Sequence, residues 1–197
     1  MTNLRMYLES ALASVISSWV EKDIYAISFL VCANETYEYD GCSNVTEFSV
    51  SYNTEKDCGG ADPLSEERWN YAFWRQNETY IIEADPTSEG MGILFDWYRE
   101  NGIDHIGYED PATCYDTEMR CIGKGPVGCY ELVQEITAVA KSLHNSGFIQ
   151  HMFGRPIPII IHDLEYSWYM IEATKAANAE GEAAEFLAAM KALGIAE

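Results

Sequence analysis

Ile24-Tyr25-Ala26-Ile27-Ser28-Phe29-Leu30-Val31-Cys32 is the stretch whose reading decides the fold. Its β-branched and aromatic residues, and the absence of any charge within it, predict a largely buried β-strand. A polar stretch holding Asn34, Asp40 and Gly41 then turns the chain. Residues 45–52 alternate, with Val45, Glu47, Ser49 and Ser51 on one face and Thr46, Phe48, Val50 and Tyr52 on the other. That period of two predicts a half-buried strand, and the short connection predicts that the pair is antiparallel.

Working outward, Leu4, Leu8, Ala11, Leu12, Val15, Ile16, Trp19 and Val20 recur at helical spacing and predict an amphipathic helix over 3–21. Residues 57–63 are rich in turn formers. Ser65 is placed to cap a following aromatic helix that runs through Arg68, Trp69, Tyr71, Phe73 and Trp74, with Glu66 and Glu67 in its first turn. Thr79–Glu83 reads as a short strand. Residues 88–101 read as a helix with Met91, Leu94, Phe95 and Tyr98 inward, and Gly102 stops it. Residues 103–124 read as loop. Residues 126–145 form a long helix stopped at Gly147, and 148–153 add a helical turn. Ile157, Ile159, Ile160 and Ile161, entered through Pro156 and Pro158, predict a strand near a sheet edge. Two helices, about 164–178 and 182–193, finish the chain, broken near Gly181. No repeat or low-complexity linker divides it. The expectation is a single globular domain over 1–197, of α+β class, with a small, mainly antiparallel sheet flanked by several helices.

Charge bears on partners. The 197 residues carry 32 Asp and Glu against 12 Lys and Arg, a formal net charge of −20. Such a field repels phosphate backbones, whose binding needs Lys and Arg to displace counterions, so nucleic acid is not an expected partner. It attracts basic surfaces, so a basic protein is the leading partner, with a cation, or a purely solubilising surface that has no partner, as the alternatives. Disorder does not explain the charge, because 48% of the residues are hydrophobic and 13% aromatic. Residues 1–22 hold apolar stretches interrupted by Glu9, with no basic start and no cleavage site, and no stretch is long enough to span a bilayer. The expected compartment is the cytoplasm. There the six cysteines (Cys32, Cys42, Cys58, Cys114, Cys121 and Cys129) are expected as free thiols, Cys32 the least reactive and Cys42 and Cys58 the most. The sequons at Asn34, Asn44 and Asn77 matter only in an exported chain.

Two segments carry a family resemblance. Glu66-Glu67-Arg68-Trp69-Asn70-Tyr71-Ala72-Phe73-Trp74-Arg75-Gln76-Asn77-Glu78 resembles a central motif of the bacterial domain-of-unknown-function family 4303. Pro158-Ile159-Ile160-Ile161-His162-Asp163-Leu164-Glu165-Tyr166, with Ala177-Asn178 and Glu185-Phe186 beyond it, resembles that family's C-terminal pattern. The resemblance implies a compact α+β domain and no particular activity. Some similar small acidic bacterial domains are immunity proteins, which neutralise a toxin by binding it.

Candidate site residues follow from chemistry. His162, Asp163 and Glu165 form the best polar constellation, at the end of an apolar strand where side chains often line a cleft. Asp163 could orient the imidazole, and Glu165 could supply a second carboxylate for proton transfer or a metal. The structural reading is that Asp163 caps the next helix, Glu165 favours its first turn, and His162 makes a core hydrogen bond. Trp69 and Trp74, with Tyr71 and Phe73, offer either a stacking platform for a ligand or core. Arg68 and Arg75 suit internal pairing with acids. His105, Cys114 and Cys121 have irregular spacing for a metal, and neither a metal nor a cofactor is expected. His144 and His151 sit near a helix end, where a cation suits the dipole. No phosphate loop, nucleophile elbow or zinc-protease helix is present, and nothing points to a pairing of Cys129 with a histidine. The leading expectation is an acidic protein-binding domain, an immunity protein being its specific form. The alternative is a small enzyme or ligand-binding domain at His162, Asp163 and Glu165.

Overall fold

Strand β1 (Ile24–Asn34) contains the quoted stretch and lies inside a four-stranded sheet of order β3-β2-β1-β4. The computed structural model describes residues 3–34, 45–104, 106–107, 116–117 and 124–196. Strand β2 (Val45–Thr54) runs antiparallel to β1, pairing Phe29 with Val50 and Val31 with Phe48. Strand β3 (Thr79–Ile82) is antiparallel to β2. Strand β4 (Ile159–His162) returns parallel to β1 and takes the other edge, where Pro158, which has no N–H to give, precedes it. The fold is α+β, as the pattern predicts, with one parallel pair in a mostly antiparallel sheet.

Eight helices are seen among the described residues: α1 (Leu4–Ser17), α2 (Glu55–Cys58), α3 (Glu66–Trp69), α4 (Glu89–Glu100), α5 (Cys129–Asn145), α6 (Phe148–Phe153), α7 (Trp168–Ala177) and α8 (Ala184–Ala192). Leu4, Leu8, Leu12 and Ile16 form the buried stripe of α1. Met91, Leu94, Phe95 and Tyr98 do the same for α4. With Leu132, Val133, Ile136, Val139 and Ala140 of α5 they cover Ile27, Phe29, Val31, Phe48, Val50, Ile159 and Ile161 on one face of the sheet. A side chain of this kind contributes about 1.5–3 kcal/mol when fully buried, so this layer is the main source of cohesion. Contact between α4 and β3 is close enough to require glycine. Tyr7 Oη donates to the Ile81 carbonyl at 2.8 Å, and a Cβ on Gly90 would stand 2.5 Å from that carbonyl oxygen.

The opposite face departs from the half-buried expectation. Ser49 and Ser51 of β2, expected on the face away from Phe48 and Val50, are buried with Ser28, Asn53 and His162. A second apolar layer covers them: Trp69, Tyr71, Trp74, Tyr166, Phe186, Ala189 and Met190. Alternation therefore marks two buried faces of different polarity here, instead of one buried and one wet.

The aromatic helix is likewise corrected. Helix α3 ends at Trp69, Asn70 is extended, and a 3₁₀ turn (Tyr71–Phe73) follows. Asn70 accounts for the break, since its Oδ1 accepts from Ala72 N at 2.9 Å and its Nδ2 donates to Glu66 Oε1 at 2.8 Å. Asn side chains compete in this way with the helical ladder. Ser65 does occupy the N-cap position, but its hydroxyl makes no capping bond. The segment expected as turn, 57–63, begins inside the short helix α2, which Thr54 Oγ1 caps by accepting from Asp57 N at 3.1 Å.

Candidate functional site

The end of β4, the loop after it and the aromatic layer meet at one place. His162 lies on β4 beside Leu30 and is 1% exposed. Its Nδ1 is 2.9 Å from the Asp163 main-chain oxygen and its Nε2 is 2.7 Å from Ser28 Oγ. A carbonyl oxygen can only accept, so Nδ1 carries the proton and Ser28 donates to Nε2. The ring stacks on Tyr166 at 5.3 Å with planes 16° apart and meets Tyr71 at 5.2 Å. Burial holds its pKa down at about 4, so it is neutral near pH 7. Both ring nitrogens are thus committed to the fold, and neither faces a cleft.

Asp163 does not cap a helix directly, because α7 begins at Trp168. Its Oδ1 accepts from Glu165 N at 3.1 Å and Ser167 N at 3.0 Å, and Oδ2 accepts from the Ser167 hydroxyl. These bonds shape a loop in which Tyr166 has φ +53°, a left-handed conformation that costs a non-glycine residue of order 1 kcal/mol or more. Tyr166 Oη repays it by donating to the Trp69 carbonyl and accepting from Tyr71 N at 3.1 Å. Consequently Leu164 and Glu165 are turned out to solvent while Tyr166 is buried. The structure therefore separates Glu165 from His162.

Trp69 and Trp74 are 2% and 5% exposed, which leaves no open stacking face on either ring. Trp69 Nε1 donates to the Pro63 carbonyl at 2.7 Å, and Trp74 Nε1 donates to the Arg68 carbonyl at 2.9 Å. Phe73 alone of that segment's aromatics points outward, 56% exposed. Arg68 is buried against the Tyr25 ring, 4.1 Å from its centroid, and grips Glu55 with two bonds of 2.9 and 2.8 Å. Arg75 pairs with Glu21 and Asp57.

His144 is not the expected helix-end cation. Its side chain is 7% exposed and burial lowers its pKa, although Glu182 approaches to 3.4 Å. Cys32, Cys58 and Cys129 are free thiols. Cys129, not Cys32, is the most deeply buried of them, and burial pushes its pKa up to about 12. His105, Cys42, Cys114 and Cys121 lie outside the described residues. Among the described residues no group of His, Cys, Asp and Glu could hold a metal ion, and no helix is long and apolar enough to cross a membrane.

Among the described residues, two open clefts combine carboxylates with apolar surface and have no Lys or Arg in their lining, whereas a third, of about 250 Å³, sets Arg68 and Arg155 beside Glu55, Glu182 and Glu185. One, of about 310 Å³, lies between the start of α1 and α4, with Leu4, Ile93 and Trp97 among Glu89, Asp96 and Glu100. The other, of about 360 Å³, adjoins the loop just described; Leu164, Tyr166, Met190, Leu193 and Ile195 line it, with Glu66, Asn70 and Glu165. Neither was legible in the sequence, because each joins segments far apart in the chain. Comparison with known protein families, curated proteins and solved structures finds no match.

Proposed function

We propose that this chain is a protein-binding domain whose partner is a basic protein, and that its specific role is that of an immunity protein occupying a basic toxin. The observation that carries the reading is where the cations go. Arg5 is paired with Glu135, Arg68 with Glu55, Arg75 with Glu21 and Asp57, and Arg99 with Asp96. Arg155 turns its guanidinium onto the Ile24 carbonyl at 2.6 Å. Among the described residues these five arginines are thus bonded within the chain, and carboxylates including Glu89, Glu100 and Glu165 stand at the two clefts of a chain whose net charge is −20.

Charge of one sign at an apolar cleft speeds encounter with an opposite partner and rejects like-charged ones, nucleic acid among them. Free thiols at Cys32, Cys58 and Cys129 fit a cytoplasmic setting. The alternative of an enzyme or ligand site at His162, Asp163 and Glu165 would have to proceed without the imidazole.

The test is a pull-down from the native host with the purified chain as bait, at 50 mM and 500 mM salt. A basic protein retained at low salt and released at high salt is expected, since interface charges are screened beyond about a Debye length. Failure to retain any basic protein at low salt refutes the proposal.

A further inference from the structure

We infer that the cleft between the β4–α7 loop and the C-terminal tail is the docking site, and that it takes a partner segment with one aliphatic anchor flanked by Lys or Arg. This rests on the reading of the chain as a binder of a basic protein, and adds which surface binds and through what side chains.

Three exposed apolar side chains meet here. Leu164 is 61% exposed, Leu193 39% and Ile195 44%, and they surround a floor of buried Tyr166 and Met190. Each would be stabilised by cover, at about 25 cal/mol per Å² of apolar surface removed from water. The volume of about 360 Å³ suits one or two side chains, not a whole helix.

Charge selects the occupant. The lining holds the carboxylates of Glu66 and Glu165 and no Lys or Arg. Among the described residues Glu66 accepts from the neutral amide of Asn70, at 2.8 Å, and neither Glu66 nor Glu165 has an ion pair. An aliphatic side chain in the cleft would bring a neighbouring Lys or Arg beside these acids. An acidic or purely apolar segment would leave them uncompensated. The α1–α4 cleft is less suited to the same occupant, because Asp96 is already paired with Arg99 and Leu4 is buried.

The loop needs little ordering on binding. Asp163 fixes it with bonds to Glu165 N and Ser167, and Tyr166 anchors it to the aromatic layer. A prearranged loop loses less entropy when a partner docks.

The test uses fluorescein-labelled peptides in the full chain's presence: Lys-Lys-Leu-Lys-Lys, its Leu→Ser form, and Glu-Glu-Leu-Glu-Glu. Binding is read by polarisation, and the site by NMR of Leu, Ile and Met methyl groups. The first peptide is expected to bind and to shift the methyls of Leu164, Met190, Leu193 and Ile195. Leu→Ser in the peptide, or Leu164→Ser or Ile195→Ser in the chain, is expected to weaken it about tenfold, as loss of an anchor does. Glu165→Lys is expected to flatten the salt dependence. Circular dichroism of the exposed-site variants checks that their fold is unchanged. Binding that shifts Ile93 in the α1–α4 cleft, and leaves Leu164 and Ile195 unmoved, overturns the docking site while leaving the basic-partner reading standing. If no basic peptide binds at low salt and the pull-down also fails, both fall.

Discussion

His162 should make the protein acid-sensitive in a defined window. Its imidazole is neutral and held between Tyr71 and Tyr166, with Ser28 and the Asp163 carbonyl on its two nitrogens. Folding lowers its pKa from 6.5 to about 4. Below pH 6.5 the unfolded chain therefore takes up a proton that the folded chain refuses, and stability falls with pH until about pH 4. At about 1.4 kcal/mol per unit, the whole window amounts to about 3 kcal/mol, of which about 2 kcal/mol is lost between pH 7 and pH 5. The perturbation is Ser28→Ala with His162→Phe, which removes the titration and both ends of the Ser–His bond together. The double variant leaves no stranded Ser28 hydroxyl, whereas His162→Phe alone strands it at about 1–3 kcal/mol; the Asp163 carbonyl loses its donor in either, an offset the same at every pH. The assay is urea unfolding of wild type and double variant at pH 7, 6 and 5. His144, also lowered by burial, is present in both and cancels in the comparison. Glu21 and Glu55, whose pKa values are lowered from an ordinary 4.5, lose their contribution only below that range, outside the measured one. Wild type should lose about 2 kcal/mol more than the variant on going to pH 5. Equal losses would refute the account of His162 as a buried, neutral structural group.

Further outcomes follow from packing and chemistry. Gly90→Ala should destabilise by about 1–3 kcal/mol through overpacking against the Ile81 carbonyl and Tyr7. Gly92→Ala, on the same helix with nothing within 4 Å of its Cβ, should stabilise by up to about 1 kcal/mol. Thermal melts that move the same way for both would contradict the close approach of α4 to β3. A thiol reagent should modify Cys58 before Cys32, whose pKa burial raises to about 11, and Cys129 only on unfolding. Labelling of native Cys129 at the rate of Cys58 would exclude its buried placement. Arg68→Lys should cost about 1–2 kcal/mol in urea unfolding, because an ammonium can neither fork onto Glu55 nor stack on Tyr25 as a guanidinium does. Unchanged stability would show that the pair contributes nothing.

The sequence by itself determined the elements whose burial pattern is local. The apolar run from Ile24, the alternation from Val45, the stripe of Leu4, Leu8, Leu12 and Ile16, and the inward set of α5 each repeat at a strand or helix period. A period is a property of neighbouring residues, so no partner is needed to read it. The acidic excess was equally explicit. Tertiary structure alone decided what covers the second face of the sheet, and with it the meaning of Ser28, Ser49, Ser51 and His162. A serine on a strand alternates in the same way whether water or a tryptophan lies above it. The layer above comes from Trp69, Trp74 and Phe186, remote from β1 and β2 in the chain. The same limit governed the site. His162 and Glu165, three positions apart, suggested one constellation, but Tyr166 at φ +53° buries its own ring and turns Glu165 outward. That conformation is unfavourable for a non-glycine residue and is sustained by bonds to Trp69 and Tyr71, nearly a hundred residues earlier. Local preference could not predict it, because the energy that holds it comes from groups that only the folded chain brings together.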